Sequence, residues 1–193
     1  MLIASKRLTN SLLAALLTAG ALFVTSLLGL PKVDSAEASG CPDSGSTPYQ
    51  VGAKRTRAAV TCLINQARHR HGRSGLEPRT ELRSAAERHS RYMEAHHCFS
   101  HQCRGEAALA RRVQKAGYVG CSCRWGVGED LHWGKRSKGT PRSVVRGWLH
   151  SSAHRATMLS RQFDHVGVGV VAGSISSSHA KAGVYTADFG FRR

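Results

Sequence analysis

The spacing of the apolar residues changes once along this chain, and that change limits the fold more than any other sequence feature. From Lys54 to His71 apolar side chains recur at helical spacing, whereas the runs "HVGVGVV" and "AGVYTADFGF" alternate. In the first of these runs Gly167 and Gly169 leave one strand face bare, which permits close approach by another element. Helices followed by neighbouring strands predict a single α+β domain with a small antiparallel sheet.

Three further helices are predicted between these segments. One begins near Thr80, and another covers Glu106 to Ala116. Thr140 and Pro141 provide an N-cap and a first-turn proline for the next helix. The stretch from Gly120 to Gly139 is predicted to be a long irregular loop, a kind of segment that is usually functional.

The first 38 residues have the features of an export signal. Lys6 lies in a basic start, Ser11 to Leu30 is nearly all apolar, and Ala36 and Ala38 occupy the −3 and −1 positions of a cleavage site. We therefore predict a signal peptide over residues 1–38 and a secreted, extracellular product. The alternative is a protein anchored in the membrane by an uncleaved signal, because about 20 apolar residues can span a bilayer.

The segment after the predicted cleavage site is rich in Ser, Gly and Pro, and it predicts a flexible N-terminal arm over residues 39–55 ahead of a folded domain over 56–193. All six cysteines lie beyond the cleavage site, and an even number in an exported chain predicts disulfides and no free thiol. A bond from Cys41 to Cys62 would tie the arm to the first helix. The six are Cys41, Cys62, Cys98, Cys103, Cys121 and Cys123.

Zinc is the alternative for the cysteines, since His96, His97 and His101 surround Cys98 and Cys103. The C-x-C spacing further along the chain does not fit a structural zinc site. The remaining four cysteines beside Cys41 and Cys62 fall into two close pairs, and the connectivity stays open at this point.

The chain is strongly basic, with 28 Lys and Arg against 12 Asp and Glu, a formal charge of +16. Such a charge attracts anionic cell-envelope polymers, acidic lipids and other polyanions. The arginines are scattered, which favours a solvated basic surface over a dedicated patch. We expect a monomer without specific nucleic acid binding, and a small-molecule or lipid ligand is a further candidate partner.

The segments "CLINQARHRHGRSGL", "LRSAAERHSRYM" and "FSH" at 99–101 occur in this order along the chain. They are similar to the first two helices and the first histidine motif of bacterial CAP-domain (SCP-like) extracellular proteins, of the cysteine-rich secretory protein, antigen 5 and pathogenesis-related superfamily. "VGEDLHWG" resembles its Gly-Glu-Asn motif with Asp130 in the Asn position. "VVRGWLHSSAHRATMLSRQFDHVGVGV" and "YTADFG" resemble the second histidine motif and the closing strand. The resemblance covers roughly Val60 to Gly190 and implies an α/β/α sandwich.

The resemblance also implies a site. In the family the helix containing the second motif breaks so that its histidine points into a central cleft. Matched residue by residue, the cleft contains His101, Glu129 and His154, while Ser151 stands where many eukaryotic members have a second glutamate. His132, three residues after Glu129, is a candidate for the cleft rim.

Three kinds of chemistry suit two imidazoles and one carboxylate. They can bind zinc with open positions for water, form a hydrogen-bonded network without metal, or act as general base and acid. We therefore expect a secreted module that binds a ligand, metal ion or surface partner through this cleft without robust catalysis, and assign no catalytic residue. The alternative is a metal-assisted, peptidase-like hydrolase that uses the same cleft. A serine hydrolase is not supported, because no G-x-S-x-G motif is present.

Overall fold

A mixed four-stranded sheet lies between two layers of helices in the computed structural model, which describes residues 40–120, 122–176 and 181–193. The strand order is β1-β3-β4-β2; β1 runs parallel to β3, and the other pairs are antiparallel. The helices are α1 (Pro48–Arg70), α2 (Thr80–Ala95), α3 (Leu109–Lys115), α4 (Pro141–His150) and α5 (Ser152–Met158). The strands are β1 (Glu77–Pro78), β2 (Trp125–Lys135), β3 (His165–Ala172) and β4 (Ala182–Arg192). The predicted α+β class and sandwich are confirmed, with the short parallel strand β1 added to the antiparallel ones.

Helix α2 packs directly on one face of the sheet, because β3 presents glycine there. A Cβ atom on Gly167 would lie 2.1 Å from the backbone nitrogen of Arg83, and one on Gly169 would lie 2.2 Å from the carbonyl carbon of Ala86. Any side chain at either position would therefore push α2 away from the sheet. The prediction that this bare strand face permits a close approach is confirmed.

The opposite face of the sheet contains the largest part of the hydrophobic core. Side chains of α1, α4 and α5 pack there against alternating residues of β3 and β4, as the helical and alternating apolar patterns require. The buried members that meet on this face are Val60, Ile64, Val144, Val145, Trp148, Met158, Val166, Val168, Val170, Tyr185, Ala187 and Phe189. Thr140 caps α4 as predicted, its Oγ1 accepting from the Ser143 amide at 3.4 Å.

The prediction of an irregular loop from Gly120 to Gly139 is wrong, because most of this stretch is the strand β2. All eleven of its residues pair with β4, from Trp125 opposite Arg192 to Lys135 opposite Ala182. Its glycines and its adjacent acids lower the strand propensity that a sequence pattern can detect. Pairing with β4 along the whole strand overcomes both that low propensity and the cost of burying Glu129 and Asp130.

The predicted arm over residues 39–55 is shorter in the structure, since α1 begins at Pro48 and includes the residues up to 55. Proline suits the first helical turn, and the Thr47 amide donates to Gln50 Oε1 at 2.8 Å. The helix is kinked at Gly52, whose φ of 77° and ψ of 161° are not helical. Cys41 is buried and bonded to Cys62, which confirms the predicted link between this segment and the first helix.

The cysteines are bonded wherever the structure describes them. Cys98 pairs with Cys103, Cys123 is also in a disulfide, and none of the described cysteines is free. Cys121 lies outside the described residues, as does the predicted signal peptide over 1–38. Of the helices in the described ranges, none combines the length and apolar character needed to cross a membrane.

Candidate functional site

The helix carrying the second histidine motif breaks at Ser151, as the resemblance implies. Ser151 has extended dihedrals, φ −93° and ψ 123°, and stands between the end of α4 and the start of α5. Trp148 anchors the end of α4 against β2, because its indole Nε1 donates to the Leu131 carbonyl at 2.9 Å. The break sets α5 at a new angle, with His154 half-buried and Arg155 exposed.

His101 and Glu129 meet in direct contact. The His101 Nδ1 lies 2.8 Å from Glu129 Oε1, and the two side chains are 61% and 1% exposed respectively. His101 stands in the loop between α2 and α3, inside the small ring that the Cys98–Cys103 disulfide closes. The buried carboxylate therefore orients an imidazole whose other nitrogen, Nε2, remains available to a ligand.

Arg112 is the member of the site that the sequence did not reveal. Its guanidinium donates to Glu129 Oε2 and, at 2.8 Å, to the carbonyl of His101. Only 5% of its side chain is exposed, so its charge is neutralised by a buried carboxylate rather than by water. Arg112 thus positions both the acid and the loop of the exposed imidazole, and nothing in its sequence surroundings separates it from the other arginines.

Behind this trio a second histidine and a second glutamate extend the network. His89 is fully buried, and its Nδ1 lies 2.8 Å from Glu106 Oε2. Its Nε2 lies 3.8 Å from Glu129 Oε2, and Arg112 Nη1 lies 3.7 Å from Glu106. Two carboxylates, one guanidinium and two imidazoles therefore form one connected cluster, called the β2-edge cluster below: His89, His101, Glu106, Arg112 and Glu129.

The surroundings shift the pKa values of two buried acids, Glu129 and Asp188, in opposite directions. Burial alone would raise the pKa of Glu129, but the hydrogen bond from His101 and the charge of Arg112 together bring that pKa below its ordinary value. Asp188 lies directly across the ladder from Glu129. Complete burial, followed by the charge of Glu129, raises the pKa of Asp188 well above its ordinary value. Glu129 is therefore the ionised member of the pair, and Asp188 favours its neutral form.

The two cleft histidines also shift in opposite directions. The hydrogen bond to Glu129 raises the pKa of His101, while burial, followed by the charge of His101, lowers the pKa of His154. Because β2 is an edge strand, His101 on the α2 side and His154 on the α5 side interact across that edge. The structure gives His154 no direct contact with His101 or Glu129 in the described part of the chain.

His132, predicted at the cleft rim, lies on the α4 side of β2. Its Nε2 donates to the Lys138 carbonyl at 3.2 Å, and its ring meets Tyr185 edge-on. Burial lowers the pKa of His132, and His154 contributes further to that lowering. His132 therefore supports the strand against α4, and its pKa responds to the charge of His154.

The described residues do not by themselves form a metal site. No three His, Cys, Asp or Glu side chains in the described ranges are grouped closely enough to hold a metal ion. Both oxygens of Glu129 already accept hydrogen bonds from His101 and Arg112, and their remaining lone pairs belong to a side chain that is only 1% exposed. Zinc at His101, Glu129 and His154 stays a prediction.

Solved structures with this architecture come from bacterial surface and extracellular proteins. An extracellular protein containing an SCP domain from Bacillus anthracis gives a TM-score of 0.59 at 26% identity, covering 72% of this chain and 41% of that one. An outer surface protein from Borrelia burgdorferi gives a TM-score of 0.57 at 18% identity, covering 69% and 90% respectively, and this likeness concerns the fold alone.

Sequence relatives occur in Bacillus subtilis. YkwD is 30% identical over 131 residues, covering 67% of this chain and 48% of YkwD. The membrane protein YlbC is 31% identical over 108 residues, covering 56% of this chain and 29% of YlbC. The chain thus spans less than half the length of each.

The family model described as "CAP: Cysteine-rich secretory protein family" matches residues 62–189, more than half of the chain. The chain therefore belongs to the cysteine-rich secretory protein (CAP) family.

Proposed function

We propose that this protein is a secreted binding module that uses the β2-edge cluster to hold an oxyanion-bearing ligand, without robust catalysis. The observation that supports it is the full engagement of Glu129, whose two oxygens accept from His101 and Arg112. A general base needs a free lone pair directed at its proton, and a zinc ligand needs one directed at its metal. Each Glu129 oxygen keeps a second lone pair, but the side chain is only 1% exposed and so directs none to solvent, and its role is to orient His101.

The exposed imidazole of His101 determines which chemical class of ligand the site can bind. Because Nδ1 of His101 faces Glu129, protonation of that ring makes Nε2 an outward N–H donor, and the carboxylate favours that protonated form. A charged donor of this kind binds carboxylate or phosphate oxygens by a charge-assisted hydrogen bond. His154, kept neutral by burial, supplies a second polar contact on the opposite side of the strand.

Export is part of the proposal. Residues 1–38 have the composition of a signal peptide, and the Bacillus anthracis protein that shares this fold is extracellular. The disulfides of the described domain suit an oxidising compartment. The ligand would then be met outside the cytoplasm.

A hydrolase is the second candidate, and one observation favours it. His101 with a raised pKa and His154 with a lowered one are the pattern of a general acid and a general base. The cluster has no fixed donor directed at a developing oxyanion apart from His101 itself, which argues against turnover.

The test is a titration of the purified protein with acetate and inorganic phosphate, followed through the imidazole NMR signals. We expect saturable shifts of the His101 signals and a raised His101 pKa, both of which Glu129→Gln should diminish. His150→Gln, which removes an exposed imidazole from the end of α4, serves as the matched control and should change neither.

A panel of peptide and ester substrates, with and without zinc, distinguishes the two functions. Absence of turnover together with His101-dependent anion binding supports the binding module. Turnover that depends on zinc and is abolished by His154→Ala would instead establish the hydrolase. Anion shifts spread equally over all histidines would contradict a built site.

A further inference from the structure

Acidic residues are absent from one long segment of this basic chain. Residues 131–163 contain seven Lys and Arg but no Asp or Glu, although the chain as a whole has 12 acids. Every ion pair in the described ranges lies outside this segment. The arginines are thus scattered along the sequence, but those of residues 131–163 have no carboxylate partner among the described residues.

Helix α4 arranges part of this unpaired charge in a row. Its apolar face is buried in the core, whereas Arg142, Arg146 and His150 are exposed. These three positions are four residues apart, so their side chains leave the same face of the helix at intervals of about 6 Å. Arg142 donates to the neutral hydroxyl of Ser44 at 2.9 Å, and the guanidinium of Arg146 has no hydrogen-bond partner in the described ranges. The outer face of α4 is therefore a row of basic groups without counter-charges.

The row continues beyond the start of α4 into the 3₁₀ turn Arg136–Gly139. Arg136 and Lys138 are exposed in this turn. The Arg136 amide donates to the Lys181 carbonyl at 2.9 Å, which places a further exposed cation, Lys181, beside the turn. We call this set of exposed basic residues the α4 strip: Arg136, Lys138, Arg142, Arg146, His150 and Lys181.

Two cavities lie along the α4 strip, one on each side of the 3₁₀ turn. Their volumes are about 400 Å³ and about 430 Å³, and each has two or more residues of the strip in its lining. No acidic residue contributes to either lining in the described part of the chain. The second cavity also has Tyr49 in its lining, an aromatic residue that is 44% exposed. The strip therefore combines surplus positive charge with recesses large enough for small rings.

We propose that the α4 strip binds a linear anionic polysaccharide, a chain of sugar rings with carboxylate groups at regular intervals. Guanidinium groups bind carboxylates through two parallel hydrogen bonds, and a row of them faces successive carboxylates of one chain. The cavities accommodate sugar rings between these contacts, and Tyr49 offers a flat apolar surface to one ring. The surface is separate from the proposed function, because His101 stands in the loop between α2 and α3 and not on the outer face of α4.

Two other polyanions fit the α4 strip less well. A helix binds an acidic bilayer by inserting its apolar face, and the apolar face of α4 is packed in the core. Single-stranded nucleic acid is bound on successive aromatic rings that stack on its bases. Among the described residues the exposed large hydrophobic side chains are Tyr49 and Phe99, and of these two Tyr49 lines a cavity of the strip. One such ring does not form a stacking platform for several bases.

Calorimetric titration with short chains of defined length tests this proposal. Octagalacturonate has both sugar rings and carboxylates, tetragalacturonate is half as long, and maltooctaose has the rings without the charge. Octaglutamate has the carboxylates without the rings, and a thymidine octanucleotide represents nucleic acid. We expect one saturable site for octagalacturonate and none for maltooctaose. Each of the other three should bind at least about tenfold more weakly than octagalacturonate, since each lacks part of the multivalent match.

Paired charge variants locate the site. Lys138→Gln with Arg146→Gln removes two exposed charges of the strip and should weaken octagalacturonate binding by about tenfold. Arg70→Gln with Arg111→Gln removes the same charge from exposed positions elsewhere and should leave the affinity unchanged. Thermal melts confirm that each variant is folded.

Paired aromatic variants test the contact with a sugar ring. Tyr49→Ala should weaken octagalacturonate binding by about threefold, because it removes the exposed ring beside the strip. Phe99→Ala removes a ring of nearly equal exposure, 45%, from another part of the surface and should have no effect. Glu129→Gln, which alters the β2-edge cluster, should also leave octagalacturonate binding unchanged.

Three outcomes would overturn the proposal. Octaglutamate or the octanucleotide binding as tightly as octagalacturonate would make the strip a surface for any polyanion. Equal weakening by the two charge pairs would place the polysaccharide on the general basic surface. Loss of octagalacturonate binding in Glu129→Gln would assign the carboxylates to the β2-edge cluster, and so to the proposed function, instead of to the strip.

Discussion

The two edges of the sheet use arginine–glutamate pairs in different ways. At the β2 edge Arg112 and Glu129 are almost wholly buried, and their charges are satisfied by each other and by fixed neighbours. At the β1 edge Arg57 and Glu87 are 18% and 20% exposed, around a cavity with surplus positive charge. The first pair is part of the folded framework, because removing one partner leaves a buried charge alone. The second is partly solvated, so water and salt screen the attraction between its charges.

Arg112→Ala should have the largest effect on stability. It leaves Glu129 and Glu106 buried without their guanidinium, and we expect a loss of about 3–5 kcal/mol in the free energy of unfolding. Urea denaturation monitored by circular dichroism measures it. Arg111→Ala, at the exposed neighbouring position, should change stability by less than about 0.5 kcal/mol. Equal losses in both variants would show that α3, rather than the buried charge network, is what the substitution disturbs.

Removing the Cys41–Cys62 and Cys98–Cys103 disulfides one at a time should distinguish an effect on stability from an effect on the geometry of the site. The Cys41–Cys62 bond spans 21 residues and the Cys98–Cys103 bond spans 5. Loop-closure entropy gives about 3 kcal/mol for the longer loop and about 2 kcal/mol for the shorter. Only replacement of Cys98 and Cys103 by serine should lower the His101 pKa, because that ring fixes His101 against Glu129.

Thermal denaturation and an NMR pH titration of each double serine variant check this separation. A His101 pKa that moves equally in both variants would mean that the short ring has no special role in orienting the imidazole.

Asp130→Asn tests the face of β2 that points away from the cluster. Burial raises the pKa of Asp130 to about 8, so the folded protein holds this proton where the unfolded chain releases it. Stability therefore falls as pH rises from the ordinary carboxyl range to about 8, and levels off above. Asparagine removes the ionisation, and we expect it to stabilise the protein on the order of 1–3 kcal/mol at high pH with little effect in acid.

Thermal melts of wild type and Asp130→Asn are compared at about pH 4, near the ordinary Asp pKa of the unfolded chain, and at about pH 9, above the pKa of about 8 in the folded protein. Parallel curves at both values would show that Asp130 reaches water or a hydrogen-bond donor and titrates normally.

The sequence predicts correctly those elements that are determined by residues close together in the chain. Thr140 and Pro141 marked the start of α4, and the glycines of β3 correctly predicted the close approach of α2. Strand β2 was missed because its stability comes from pairing with β4 along its whole length. The cavity between α1 and α2 depends on β1 ending after two residues, which no spacing in the sequence indicates.

For the candidate site, the family resemblance identified the positions of the site residues, and the structure identified the side chains that contact them. His101 and Glu129 are in contact as expected. Arg112 and Glu106 enter the site only through the tertiary packing of α3 and its preceding loop against β2, so a chain with 28 basic residues could not single out Arg112. Metal binding by His101, Glu129 and His154 stays a prediction.

Arg57→Gln should have the smallest effect, and it completes the comparison between the two edges. The pair with Glu87 is partly solvated and joins α1 to α2, so its loss should lower stability by less than about 1 kcal/mol. Because salt screens exposed charges, that loss should shrink further between about 0.1 M and about 1 M sodium chloride, whereas the loss in Arg112→Ala should persist. Urea denaturation of both variants at the two salt concentrations provides the measurement. If the Arg57 variant lost as much stability as the Arg112 variant, and kept that loss in high salt, Arg57 and Glu87 would be a buried structural pair like Arg112 and Glu129.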